Sequence, residues 1–499
     1  MELMRSREVP QKKLHQVQPK ADCGRGVTVT PEPVWTLSQV LFATGGRFHS
    51  GRTEARFRLI CTDSRAVEPG DLFVALSGEN FDGHDFVEQA LTRGASGLLL
   101  AKAPTRELRV PVVMVDDTLK ALGDLAHYRR RQMPDLTVLA VTGSSGKTTV
   151  KEMVSAILAQ EYNVLKTKGN FNNLIGLPLS LLPVEHHHDF AVLEMGMNRL
   201  GEIARLAEIA EPDVACITNV QSAHLAGLSN IEGVARAKGE LFAGMKAWGT
   251  LAVNIDDARV RKLARRMRHR QITFGRNPLA MVRATRLRSL GEQGMSFTLH
   301  IGSWSERIRI TSLGAHNVMN SLAAAAMATA AGIKPGVIAA GLTGHRPYEK
   351  RMQVETLANG FKLINDTYNA NPASVLAALT AVHNLKGRRR IVAVLGDMLE
   401  LGNHSTAAHR VVGQNAVRLK FDYLLAVGEF AGEMVGAARE AGHSAEQALR
   451  FDIKEEIVDW LQQAMACNLL QPGDLILVKG SRGMRMETVV NALAGKGKG

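Results

Sequence analysis

Residues 136–150 read Leu-Thr-Val-Leu-Ala-Val-Thr-Gly-Ser-Ser-Gly-Lys-Thr-Thr-Val. The apolar run Leu136 to Val141 predicts a strand buried on both faces, and the turn after it predicts a helix running to about Gln160. A glycine-rich turn at that junction lets successive backbone N–H groups face an anion, and the helix start adds the positive end of its dipole. Lys147 is then expected to reach the β- and γ-phosphates of ATP, and Thr148 to ligate Mg²⁺. Gly143, Ser144, Ser145, Gly146 and Thr149 complete the expected ATP cradle. The general phosphate-loop pattern has glycine five residues before Gly146. Val141 stands there, so this loop is a shortened variant.

Similar apolar runs recur on both sides of the loop. Phe190 to Leu193, Val214 to Ile217 and Leu251 to Val253 follow it, and Phe361 to Ile364, Ile391 to Leu395, Tyr423 to Val427 and Leu475 to Val478 come later. They alternate with amphipathic stretches, which predicts mostly parallel sheets with helices on both faces. Shorter runs at 58–65, 71–76 and 110–115 predict a smaller α/β unit before them. A length of 499 residues fits about three domains. The expected fold is therefore α/β, with a basic mobile tail at 1–30 and a small N-terminal α/β domain at 31–134. A central P-loop parallel-sheet ATPase domain follows at 135–312, and a C-terminal Rossmann-like domain at 313–499.

Composition narrows the partners. The chain is 45% hydrophobic and 22% charged, which excludes disorder over most of its length. No apolar stretch approaches the ~18 residues of a membrane helix, and no secretory leader is apparent, so a cytoplasmic protein without membrane insertion is expected. The four cysteines are scattered, with neither a disulfide framework nor zinc spacing. The net charge of +13 favours polyanionic partners. The basic cluster at 261–270 lacks interleaved aromatic residues and reads as a solvated face, so nucleic acid is not an expected partner. His186, His187 and His188 read as a surface loop.

Further chemistry sits at predicted strand ends, where open α/β sheets bind ligands. Glu194 reads there either as a solvated carboxylate or as an oxygen ligand for Mg²⁺. His224 follows another strand and could be structural. Lys238, on a helix expected from about Ile231, reads alone as a solvated lysine. The string Asn365-Asp-Thr-Tyr-Asn-Ala-Asn-Pro-Ala-Ser374, with the turns at 396–402 and 479–482, predicts a ligand-lined edge of the last sheet.

In order and spacing these segments resemble the Mur ligase family. Thr62-Asp-Ser-Arg65, Phe81-Asp-Gly-His84, the shortened loop at 142–149, Gly169-Asn-Phe-Asn-Asn-Leu-Ile-Gly176, Glu194-Met-Gly196, Ala237-Lys-Gly-Glu240 and Gly314-Ala-His-Asn317 carry the resemblance. Asp366-Thr-Tyr-Asn-Ala-Asn-Pro372 and Gly396-Asp-Met-Leu-Glu-Leu-Gly402 resemble the branch that adds a dipeptide. The strings typical of the diaminopimelate-adding branch are absent. The resemblance implies an ADP-forming ligase that joins D-alanyl-D-alanine to UDP-N-acetylmuramoyl-tripeptide in peptidoglycan precursor synthesis, acting as a monomer. It implies that Ser64, Arg65 and His84 hold the UDP-sugar, and that Asn170 and Asn173 extend toward the acceptor. Tyr368 and Asn369 join these substrate contacts. Asn317 would meet adenine, Arg351 phosphate and Asp366 ribose. Two Mg²⁺ ions are implied, the second held by Glu194 and His224, with Lys238 carbamylated by CO₂ as an anionic ligand. A sibling ligase adding diaminopimelate or lysine, a folylpolyglutamate synthetase and a nucleic-acid-dependent NTPase are the alternatives.

Overall fold

The computed structural model describes residues 35–78, 81–221, 228 and 230–495. The basic tail at 1–30 and His224 lie outside the described residues. Three large sheets organise the described chain, beside a two-stranded pairing of Trp35–Thr36 with Arg56–Phe57. The first holds β1 (Arg47–Ser50), β2 (Ile60–Cys61), β3 (Leu72–Val74), β4 (Gly97–Leu100) and β5 (Val112–Met114), in the order β1-β5-β4-β3-β2. Its strands are parallel except for the β1 edge.

The second sheet holds β6 (Thr137–Thr142), β7 (Val164–Lys166), β8 (Phe190–Glu194), β9 (Val214–Ile217), β10 (Thr250–Asn254), β11 (Arg270–Gly275), β12 (Val282–Ser289), β13 (Met295–Ile301) and β14 (Trp304–Ile310). Their order is β14-β13-β12-β11-β10-β9-β6-β8-β7. From β7 to β12 every pairing is parallel, and β6, β8 and β10 are buried at every position except Thr137. The long apolar runs follow from burial on both faces. The sequence reading did not anticipate β12–β14. These pair antiparallel and alternate inward apolar with outward polar residues, so Val282 and Ala284 are buried between more exposed Arg283 and Thr285.

The P-loop joins β6 to α1 (Lys147–Leu158), and α2 (Ile231–Ala243) carries Lys238. Two later helices, α3 (Ala315–Ala330) and α4 (Pro335–Gly344), fall in the segment assigned from sequence to the last domain. They pack instead in the core of the central sheet. Leu322, Ala326, Ile338 and Leu342 share one cluster with Ile157 of α1 and Phe297 of β13. Small residues permit this: a Cβ on Gly341 would fall 2.4 Å from the Ile157 Cα, so α4 meets α1 at backbone distance. The structural reason for the difference is that an alanine-rich helix buried almost all round carries little pattern to say which sheet it covers.

The last sheet holds β15 (Gln353–Thr356), β16 (Lys362–Asp366), β17 (Ile391–Gly396), β18 (Tyr423–Val427), β19 (Ala448–Phe451) and β20 (Leu475–Lys479), ordered β15-β16-β20-β17-β18-β19. Only β15 is antiparallel. The helix α5 (Pro372–His383) follows β16 and starts with a capping box between Asn371 and Ser374. The carboxyl ends of β6 and β8 in the central sheet, and of β16 and β20 in the last, open onto one cleft. No described helix is long and apolar enough to cross a membrane.

Candidate functional site: a nucleotide cleft between two sheets

The P-loop is shaped by close approach. Gly146 has φ +84°, and a Cβ there would lie 2.3 Å from Asn320 Oδ1 of α3; a Cβ on Gly143 would lie 1.8 Å from Thr218 Oγ1. Thr218 and Asn219, at the end of β9, hold the loop from behind. Thr218 Oγ1 and Asn219 Nδ2 donate to Ser145 O at 2.6 and 3.1 Å, and Ser145 N donates to Asn219 Oδ1 at 3.0 Å. The N–H groups of the first turn of α1 have no intrahelical acceptor and stand at the positive end of the helix, where an anion binds. Lys147 folds back so that its Nζ donates to Gly143 O at 2.8 Å. Burial pushes its ammonium down, and the Glu194 carboxylate pulls the other way.

Opposite the loop, Glu194 ends β8 with 2% of its surface exposed. Its Oε1 accepts from Asn172 Nδ2 at 2.8 Å, while Oε2 is buried without a hydrogen-bond partner. The strand is held in register there, because Glu194 N donates to the buried Thr167 Oγ1 at 3.0 Å. Lys238 is buried, with 1% of its surface exposed. Burial pushes its ammonium well below the usual lysine range, and the positive charge of Lys147 adds to the shift.

The last sheet supplies the other wall. Arg351 donates from its guanidinium to Thr148 Oγ1 at 2.8 Å and lies 4.0 Å over the Tyr368 ring. Asp366 is held on both oxygens: Met352 N donates to Oδ1 at 3.1 Å and Lys479 Nζ donates to Oδ2 at 2.6 Å. Lys479 also donates to Asn369 O at 2.8 Å. Asn371, which caps α5, reaches back to the P-loop and donates to Ser144 O at 3.3 Å and Ser145 Oγ at 3.2 Å.

The cleft has a volume of about 1180 Å³. Ser144, Ser145, Gly146, Lys147, Thr148, Thr149, Asn170, Asn173, Glu194, Asn317, Arg351, Asp366, Tyr368 and Asn369 all line it. Asn317 is turned partly to its own helix, donating to Leu313 O and accepting from Asn320 Nδ2. Gly143 and Lys238 stand behind the lining rather than in it. Ser64, Arg65 and His84 lie elsewhere, at the carboxyl ends of the adjacent strands β2 and β3 of the first sheet. There Ser64 Oγ donates to Gln89, and Arg65 is folded onto Asp63. His84 uses both ring nitrogens, Nδ1 against Asp82 at 2.6 Å and Nε2 as acceptor from Ala101 N at 3.0 Å, so it holds a turn together. His186 and His187 are exposed, and the basic cluster at 261–270 faces solvent at every arginine and lysine.

Lys479, Asn371 and Asn172 were not assigned as site residues from the sequence. Lys479 carried a signal: a lysine closing the fully buried run Leu475–Val478 needs a partner of opposite charge. Asn371 and Asn172 carried none beyond their place in polar strings.

A phosphate-binding turn on one mostly parallel sheet, closed over by cationic and carboxylate side chains of a second, forms a nucleotide cleft, and the matches to known proteins make the chain an ATP-dependent acid–amino acid ligase. The chain belongs to the Mur ligase family. Residues 56–130 match the profile "Mur ligase family, catalytic domain", 141–328 the "Mur ligase middle domain" and 350–482 the "Mur ligase, glutamate ligase domain". The UDP-N-acetylmuramoyl-tripeptide–D-alanyl-D-alanine ligase of Escherichia coli K12 is 38% identical over 465 residues, covering 93% of this chain and 99% of that protein. A crystal structure of MurF from Acinetobacter baumannii superposes with a TM-score of 0.86 at 36% identity, covering 94% of this chain and all of that one. The MurF ligase of Thermotoga maritima, solved in complex with ADP, superposes at 0.78 with 29% identity, covering 88% and 97%.

The loop geometry makes a test. In Gly146→Ala a left-handed backbone carries a Cβ, at about 1–2 kcal/mol, and the methyl group collides with Asn320. ADP affinity measured by calorimetry should fall at least tenfold, and the added change Asn320→Ala should restore part of it. Unchanged ADP affinity in Gly146→Ala would show that the loop conformation does not govern nucleotide binding.

Proposed function

We propose that this chain uses ATP to join D-alanyl-D-alanine to UDP-N-acetylmuramoyl-tripeptide, forming ADP and phosphate in the cytoplasmic assembly of a peptidoglycan precursor. The observation that carries the reading is the cleft itself, in which Lys147 and Thr148 of one sheet face Arg351 and the Asp366–Lys479 pair of another. The 38% identity to the E. coli ligase over nearly its whole length supports the choice of substrates.

A peptide carboxylate resists attack by an amine at neutral pH. In the proposed reaction a carboxylate oxygen of the tripeptide attacks the γ-phosphorus, and the bond to the β,γ-bridging oxygen breaks to release ADP. The amine of the dipeptide then attacks the carbonyl of the acyl phosphate, the C–O bond to phosphate breaks, and the nitrogen loses a proton. Charge builds on the transferring phosphoryl group, so preorganised cations are the main catalytic resource. Lys147 and Arg351 are the proposed cations. Arg351 must let go of the Thr148 hydroxyl to meet a γ-phosphate. Asp366, fixed by Lys479, is proposed to accept from the ribose, and Asn317 to border the base. Asn170, Asn173, Tyr368 and Asn369 border the proposed acceptor path, with Ser64, Arg65 and the turn held by His84 at its UDP end.

The donors around Thr148 suit Mg²⁺, since Glu194 Oε2 is a buried, unpartnered carboxylate oxygen and the Thr148 hydroxyl lines the same cleft. Mg²⁺ held there would neutralise phosphate charge. His224 is proposed as a further ligand. Lys238 is proposed to be carbamylated: burial and the charge of Lys147 favour its neutral amine, whose nitrogen would bond to CO₂ with loss of a proton, giving an anionic oxygen donor.

Two experiments test this reading. Incubated with UDP-N-acetylmuramoyl-tripeptide, ATP, Mg²⁺ and D-alanyl-D-alanine, the protein should yield a product heavier by the dipeptide less one water. A product only with diaminopimelate, lysine or glutamate would move it to a sibling activity. Lys238→Ala should be nearly inactive and regain activity with added acetate. Near wild-type activity in Lys238→Ala would remove the carbamate.

A further inference from the structure

Behind the P-loop helix lies a second cavity of about 230 Å³. Its polar wall is formed by Glu152 of α1, Lys166 at the end of β7, and His345, Arg346 and Tyr348 of the segment that leaves α4 for the last sheet. Among the described residues only Tyr348 lines both this cavity and the nucleotide cleft.

The charges here do not cancel. Glu152 accepts from Lys151 at 3.0 Å and from Lys166 at 2.5 Å. Lys151 is fully buried and also donates to Thr167 O at 2.7 Å, so it neutralises Glu152 from the inside and is not available to a ligand. Lys166, with 47% of its side chain exposed, is then a surplus cation at the mouth. Arg346 is exposed and has no ion pair with another described residue. His345 is 5% exposed, and its Nε2 is buried without a hydrogen-bond partner. A buried polar nitrogen without a partner is costly unless a ligand meets it.

Two surplus cations and one unsatisfied ring nitrogen around a small chamber suit one kind of guest: a compact oxyanion with several acceptor oxygens. We propose that this cavity is a second anion site, separate from the nucleotide cleft, that takes inorganic phosphate between Lys166, Arg346 and His345. The imidazole donates its Nε2 proton to the anion in this arrangement, with the other ring nitrogen left neutral. Burial disfavours the imidazolium most; the Glu152 carboxylate opposes that and Lys166 adds to it, with the net shift toward the neutral ring. Tyr348 forms part of the floor, and its ring stands edge-on to Tyr368 at 6.3 Å, beside Arg351.

The test uses the full chain with the main cleft filled by Mg²⁺ and a non-hydrolysable ATP analogue, so that the γ-phosphate position is occupied. Inorganic phosphate is then titrated by calorimetry. One saturable site per chain is expected. The double variant Lys166→Gln/Arg346→Gln should bind phosphate at least tenfold more weakly while its affinity for the analogue stays within twofold, which also reports that it is folded. His345→Phe should weaken phosphate at least threefold. Absence of saturable phosphate binding, or binding of equal strength in the double variant, overturns the proposal.

Discussion

The nucleotide cleft of this chain is closed where side chains of the last sheet reach the P-loop, and the arginine contact is central to it. Arg351 leaves the start of the last sheet, lies flat on Tyr368 and donates to the Thr148 hydroxyl at the head of α1. A P-loop on a single sheet would leave its phosphates open to water on one side. Covered by the second sheet, the same loop lies in a lower dielectric, where each cation acts more strongly and the proposed acyl phosphate would be shielded from hydrolysis. A second clamp supports this arrangement away from the cleft. Glu292, in the turn between β12 and β13, binds Arg389 at 2.5 Å and Lys362 at 3.1 Å, both from the last sheet. The antiparallel extension of the central sheet therefore has a purpose in the architecture: it carries a carboxylate out to where the last sheet can hold it.

The same principle governs the buried cations. Lys479 has Asp366, and Lys151 has Glu152 with a backbone carbonyl. Arg130 reaches the carbonyls of Ala210 and Met133. Charges taken from water need such partners. Lys238 is treated differently: it is as buried as these, yet burial and the charge of Lys147 drive it toward the neutral amine.

Much of this was readable from residues alone, and the reasons are specific. Strands such as β6, β8, β9 and β20 are buried on both faces, so their sequences are near-continuous apolar runs that a reader can find. The P-loop was readable because its glycines, lysine and threonine are contiguous. Strands β12 and β14 were missed because alternation with arginine, serine and glutamate resembles an exposed surface. The helices α3 and α4 lie in the segment assigned from sequence to the last domain yet share the core of the central sheet, because alanine and glycine pack closely on any partner. The Asp366–Lys479 pair joins residues 113 positions apart, so the buried run before Lys479 signals the need for a partner but not which residue supplies it. For Ser64, Arg65 and His84 the motif was readable, but not the internal hydrogen bonds that occupy Ser64, Arg65 and His84 within their own domain.

The central claim is that phosphoryl transfer occurs only when the arginine of the last sheet completes the loop of the central one. Positional isotope exchange reads this directly. ATP carrying ¹⁸O in the β,γ-bridge is incubated with the enzyme, Mg²⁺ and UDP-N-acetylmuramoyl-tripeptide, with the dipeptide withheld. Reversible transfer to the carboxylate moves the label into a non-bridging β-position. The wild type should scramble the label, and Arg351→Ala should scramble it at least a hundredfold more slowly, on the order expected for losing one preorganised charged donor. Scrambling at the wild-type rate in Arg351→Ala would contradict the account.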